Sequence, residues 1–295
     1  MIVKLDLFNE IKETAIIALF NDDYLMNKLV LKGGSCIELA YNLHARSSKD
    51  IDFSMQGEFD NQALNEVTLK IETQYKKFFN NIGYYPFDFK LKNNPRYLPE
   101  NIKMSGYALS FKLVSMENYN LYKNDLLKLR NNSIALGAGD KKDFIIEISK
   151  YEYCEQKELK EIGGHKVFVY SPMLIVFEKL RAICQKMKEY RNREEDLDLP
   201  RARDFYDIYL VDTELGPIDY KLEENRHILE KVFEAKDADL NLLSRVKDKR
   251  AIHSNDFQTV LQTDFRDPKR IQIFDYYFEY VLGIIYNDLE EFWVV

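Results

Sequence analysis

Apolar and polar positions alternate with two different periods along the chain, and the change of period is the first clue to its organisation. Over 5–20, Phe8, Ile11, Ala15, Ala18 and Leu19 recur at helical spacing, and Asn21-Asp22-Asp23 closes that helix with a polar turn. A short apolar run at 29–32 reads as a strand. Residues 60–80 predict a second amphipathic helix, with Leu64, Val67, Ile71, Tyr75 and Phe78 on one side, placed to cover a face of a sheet. From 81 to 170 the period shortens to aromatic and β-branched runs, YYPFDFKL, GYALSFKLV, KDFIIEIS and HKVFVYSP, which are strand signals. The asparagine-rich segment 118–132 between them is a loop or a short helix.

At Ser171-Pro172 the helical period returns, with a good N-cap residue and proline at the first helical position. Met173, Val176, Phe177, Leu180, Cys184 and Met187 make an apolar stripe over four turns. An acidic run, EEDLDL at 194–199, precedes Pro200, which starts a helix through about Val211; bulky aromatics from 274 onward predict another. The pattern therefore predicts an α/β (α+β) protein. A mixed sheet flanked by helices occupies 1–170, and a mostly α-helical lobe occupies 171–295. No repeat or low-complexity tail interrupts it.

Composition removes several classes of function. A net charge of −7 disfavours nonspecific wrapping of duplex nucleic acid, although a local basic groove stays open. Over 179–193 the basic residues Lys179, Arg181, Lys186, Lys188, Arg191 and Arg193 face a single acid, Glu189, which suits either a solvated helix face or an RNA-facing strip. Cys36, Cys154 and Cys184 lie far apart and form no C-x-x-C pair, so they read as buried apolar side chains. The four histidines, His253 among them, fall in no metalloprotease spacing and give no catalytic signal. No apolar run is long enough to span a membrane and no leader is evident, so a cytoplasmic location is expected.

The chemistry concentrates in LVLKGGSCIELAYNLHARSSKDIDF, residues 29–53. A strand feeding Gly33, Gly34 and Ser35 at a helix start would turn unpaired backbone N–H groups outward, as a phosphate site does. A tight turn selected for backbone freedom alone gives the same glycines. Lys32 precedes the glycines, so this is not a P-loop. Asp50 and Asp52 sit two apart, and on a strand such side chains share a face. They would repel one another without a cation between them, whereas a solvated surface strand would show the same alternation. Carboxylate oxygens beside a phosphate-binding turn suit Mg2+ with a nucleotide.

Taken together, the glycine turn and D-x-D resemble the polymerase-β-like nucleotidyltransferase superfamily. More narrowly, K-G-G-S followed by R-x-S-x-D-I-D-F, from Lys32 to Phe53 with Arg46 and Ser48, is similar to the AbiEii/AbiGii toxins of type IV toxin–antitoxin and phage abortive-infection systems, and to the MenT toxins of mycobacteria. The interval from Gly34 to Asp50 is longer than the superfamily's usual one and suits the toxin family. The resemblance continues through F-I-I-E-I-S at 144–149, S-P-x-x-x-x-x-E-K-L-x-A from Ser171 to Ala182, and R-D-F-Y-D from Arg203 to Asp207.

This likeness implies a Mg2+- (or Mn2+-) dependent nucleotidyltransferase that moves a nucleotidyl group from an NTP, GTP being one candidate, to an RNA acceptor at the tRNA 3′ end. Growth arrest would follow, neutralised by a separately encoded antitoxin that need not bind the toxin. By the same resemblance Asp50, Asp52 and Glu147 hold the metal, Gly33, Gly34, Ser35 and Ser48 the nucleotide, and Lys179 the phosphates. Asp204 orients Lys179 or acts as a base, with Asp207 in support. Transfer to a protein or small molecule, or NTP binding without transfer, are the alternatives to be separated.

Overall fold

The computed structural model of the chain describes residues 2–43, 50–59, 64–96, 102–135, 141–191, 197–261 and 271–292. The chain divides into two compact units. The first comprises Met1–Gly33, Lys49–Tyr151 and Leu159–Val169; the second comprises Gly34–Ser48, Glu152–Glu158 and Tyr170–Val295.

The first unit begins with α1 (Ile2–Phe20) and α2 (Asp23–Lys28). Asp22 separates them by capping α2, its side chain accepting the Leu25 N–H at 3.1 Å. There follow β1 (Val30–Lys32), β2 (Ile51–Ser54), α4 (Leu64–Asn81), β3 (Tyr84–Asn94), β4 (Gly106–Ser115), α5 (Met116–Tyr122), α6 (Leu126–Asn131), β5 (Phe144–Ser149), β6 (Lys157–Ile162) and β7 (His165–Tyr170). The strands form one seven-stranded sheet in the order β3-β4-β5-β2-β1-β7-β6. It is mixed as expected: β1 pairs antiparallel with β2 and parallel with β7, while β2 pairs parallel with β5.

Pleating sorts the side chains by face. Leu31, Phe53, Ile148 and Val169 stand in register and are buried, with Phe53 packed on Phe20 of α1 at a centroid distance of 5.9 Å. The intervening residues, Asp52 among them, emerge on the opposite side. Helix α1 departs from the simple amphipathic expectation: nearly every residue from Ile11 to Phe20 is buried, Lys12 included. In α4 the buried stripe is Val67, Ile71, Tyr75 and Phe79; Phe78, one residue earlier, instead lies against His165. The segment 118–132 contributes to α5 and α6.

The second unit takes in Gly34 and Ser35 of α3 (Gly33–Ser35), which runs into a π-helical turn at Cys36–Ala40, and then α7 (Pro172–Cys184), α8 (Lys188–Arg191), α9 (Ala202–Glu214), α10 (Glu223–Glu234), α11 (Arg250–Leu261) and α12 (Phe274–Gly283). Ser171 caps α7 as its sequence predicts, accepting the Leu174 N–H at 3.3 Å, with Pro172 in the first turn. Helix α9 packs on α7, α11 and α12, with Phe205 meeting Phe274 and Phe278. Among the described residues no helix is long and apolar enough to cross a membrane.

Candidate functional site

In the first unit the site is assembled by strand register. Lys32 on β1 stands opposite Asp52 on β2, and Asp52 stands opposite Glu147 on β5. One cation and two carboxylates therefore lie abreast on the polar face. Lys32 is buried, and its Nζ donates to Ser149 Oγ on the same face at 3.2 Å. Asp52 is half-buried, whereas Asp50, one residue before β2, and Glu147 are exposed. Water can thus solvate the Glu147 charge, so register rather than burial ties it to Asp52.

The glycine turn and the aspartate meet directly. Gly33 has φ +69°, and a Cβ built there would lie 2.9 Å from Asp52 Oδ2. Only a residue without a side chain lets the carboxylate lie this close to the turn. Gly34 and Ser35 follow in α3; the two glycines are half-buried and Ser35 is fully buried, so the glycines are what such a turn can present. Ser48 and Arg46 lie outside the described residues. Among the described residues no group of three or more His, Cys, Asp or Glu side chains is gathered to hold a metal ion. Mg2+ takes one or two carboxylates and completes its shell with substrate phosphates and water. Asp50 and Asp52 fit that demand in donor chemistry.

In the second unit the candidate residues form a charge cluster. Lys179 projects from α7 and its Nζ donates to Asp204 Oδ1 at 3.0 Å and to Asp207 Oδ2 at 2.7 Å. The two aspartates lie one turn apart on α9, so their three-residue spacing brings both onto one ammonium. All three side chains are buried, Asp207 to 1 % exposure. Arg201, just before α9, adds a second cation through an ion pair with Asp204. Two cations against two carboxylates make burial tolerable. Desolvation raises the Asp204 pKa, but Arg201 and Lys179 together outweigh it and hold the carboxyl below its ordinary value. Asp204 in turn raises the pKa of Arg201.

This pairing corrects the picture of 179–193 as a basic strip. Lys179 is engaged by two acids, and Arg181 is buried against Glu152 at 3.0 Å and Glu178 at 3.6 Å. Glu189 is bound by Lys249 from beyond the strip, at 2.7 Å. Lys179 and Arg181 are therefore buried in ion pairs and do not form an exposed basic face. Two further participants carry no local signal of their role. Lys32 stands out in the sequence only for its place before the glycines, and His253 joins the Asp204 cluster through a contact made by folding, whereas Arg201 lies three residues before Asp204, within local reach.

No curated protein sequence matches the chain. Among solved structures, JHP933 from Helicobacter pylori shares 17% identity over 98% of this chain and 94% of its own, with a TM-score of 0.49. MenT4, a nucleotidyltransferase toxin from Mycobacterium tuberculosis H37Rv, shares 13% identity over 98% of this chain and 87% of its own, with a TM-score of 0.47. The model of the family described as nucleotidyl transferase AbiEii toxin, type IV TA system, matches residues 17–281, and the chain belongs to that family.

Proposed function

We propose that this toxin-family nucleotidyltransferase moves a nucleotidyl group from an NTP to the 3′ hydroxyl of an RNA, with tRNA as the acceptor. The acceptor oxygen attacks the α-phosphorus, the bond from that phosphorus to the bridging oxygen breaks, and pyrophosphate leaves with its electron pair. The hydroxyl proton passes to a carboxylate, for which Asp52 is the candidate. The observation that carries this reading is the contact of the Asp52 carboxylate with the Gly33 turn, which sets an acid directly beside a backbone suited to phosphate.

Asp50 and Asp52, with Glu147 in register, would hold Mg2+ or Mn2+, which supplies charge neutralisation at the phosphates and a more acidic attacking hydroxyl. Gly33 and Gly34 bind the triphosphate through their backbone, with Ser48 adding a hydrogen bond. Lys179 offers a point charge to the phosphates, and Asp204 and Asp207 orient it. Growth arrest is the consequence, relieved by a separately encoded antitoxin that need not bind this chain.

The test is to incubate the protein with each labelled NTP, Mg2+ and total RNA. Label entering tRNA, and lost in Asp52→Ala, supports the reading. Label entering only protein assigns transfer to a protein side chain, and NTP bound without reaction assigns a binding module. Growth arrest on expression, absent in Lys179→Ala, is the companion measurement.

A further inference from the structure

Helix α9 carries Asp204 and Asp207 but has no cap of its own. Arg201 occupies the N-cap position and makes no capping hydrogen bond with its side chain. The first N–H groups of a helix are orphan donors that must find acceptors elsewhere. Here they find them on α11, some fifty residues later. The Arg201 N–H donates to His253 Nδ1 at 3.0 Å, and the Ala202 N–H donates to Asp256 Oδ2 at 3.3 Å.

His253 is buried, and its ring lies 4.9 Å from the ring of Phe205, the residue next to Asp204. Accepting at Nδ1 places the neutral ring's proton on Nε2. That Nε2 is buried with no hydrogen-bond partner among the described residues. The ring therefore leaves one nitrogen unsatisfied while the other terminates α9, an arrangement a plain core position would fill more cheaply with an apolar side chain. The residue it caps, Arg201, is the same one whose side chain binds Asp204.

We propose that His253 and Asp256 are positioning residues for Lys179: by capping α9 in trans they set Asp204 and Asp207 where both carboxylates hold the Lys179 ammonium. The functional consequence rests on the reading of Lys179 as a phosphate contact.

The test measures kcat and KM for the NTP in the full chain for His253→Ala, Asp256→Ala, His253→Asn and Lys179→Ala, alongside the extent of Lys179 acylation by an N-hydroxysuccinimide acetate ester, read by mass spectrometry. Asparagine places an acceptor oxygen close to the position of Nδ1. The two alanine variants are expected to lose roughly ten- to a hundredfold in kcat/KM, as for loss of an outer supporting contact. That loss should fall on KM, since phosphates are already present in the ground state. Lys179 should acylate faster in both, and His253→Asn should return both readouts toward the unsubstituted protein. A generally weakened fold would instead lower the active fraction and leave KM unchanged.

Unaltered KM and unaltered acylation in the alanine variants, with Lys179→Ala inactive, would overturn the positioning role. Full activity in Lys179→Ala would overturn the reading of Lys179 itself, and acylation would still decide whether the cap holds it. If His253→Ala does not fold, Asp256→Ala decides, because it removes the second acceptor without opening the core.

Discussion

A methyl group added at Gly33 would stand 2.9 Å from Oδ2 of Asp52, and the Gly33 backbone lies at φ +69°, where L side chains are strained. Two penalties therefore meet in Gly33→Ala: a left-handed backbone costing about 1–2 kcal/mol and a displaced carboxylate. The expected outcome is a fold weakened by about that amount, measured by urea denaturation. Transfer activity should fall further than this modest loss of folded protein accounts for. Activity that simply tracks the folded fraction would dissociate the turn from Asp52.

The carboxylates of the first unit predict a graded response to metal. Stripping divalent ions with a chelator should abolish transfer, and Mg2+ or Mn2+ should restore it. Asp52→Asn should cost more than the roughly hundredfold that loss of an outer supporting contact brings. Asp50→Asn should raise the Mg2+ concentration needed for half-maximal rate. Glu147→Gln, whose side chain is exposed but in register with Asp52, should raise that concentration if it belongs to the metal set. An unchanged Mg2+ titration would remove Glu147 from it. Because Glu147 is solvated, its substitution should leave stability nearly unaltered.

Lys179 is the hub of a buried cluster, and its removal takes the ammonium away from two buried carboxylates, Asp204 and Asp207, of which Asp204 keeps its ion pair with Arg201. Lys179→Met is expected to destabilise by about 3–5 kcal/mol, the cost of breaking a buried pair from one side. Adding Asp207→Asn should recover part of that loss by removing one buried negative charge. The check is the denaturation midpoint of the single and double variants. A double variant no more stable than Lys179→Met would mean that the Asp207 charge does not carry that loss.

How much of this is legible in the sequence follows from the range of each interaction. Ser171-Pro172, the helical stripe of α7 and the i, i+3 placement of Asp204 and Asp207 are local, and the periodicities expose them. The D-x-D strand and the glycine turn are short patterns whose neighbours in the sheet follow from pleat and register. Strand β6 gives no strand signal because Lys-Glu-Leu-Lys-Glu-Ile is charged where strand signals are apolar, as befits the last strand of the sheet, whose open edge is protected by charge. The burial of Ile11–Phe20 of α1 on nearly all sides, and Phe79 in place of Phe78, depend on what packs around each helix. The pairing of Lys179 with two aspartates, and above all the cap that His253 places on α9, join residues 25 to 52 positions apart. No local pattern encodes them.

His253 also makes the second unit acid-sensitive. The groups around it are Asp204, Asp256, Asp198 and Arg201; burial outweighs the pull of the three carboxylates and lowers its pKa to about 4, from an ordinary 6.5. Above pH 6.5 the ring is neutral folded and unfolded, and it places no pH dependence on stability. Between 6.5 and 4 the unfolded chain binds a proton that the folded chain refuses, so stability falls as pH falls across that window. The full span is worth about 3 kcal/mol. Below pH 4 the folded ring protonates too and surrenders Nδ1 as an acceptor for the Arg201 N–H. Asp204, whose carboxyl is held low by Arg201 and Lys179, adds a loss of the same sign at the acidic end. His253→Asn removes the ring's share alone. Urea denaturation at steps from pH 7.5 to 4 should show the unsubstituted protein losing stability more steeply than His253→Asn between 6.5 and 4, and equal slopes would show that the ring titrates normally in the folded chain.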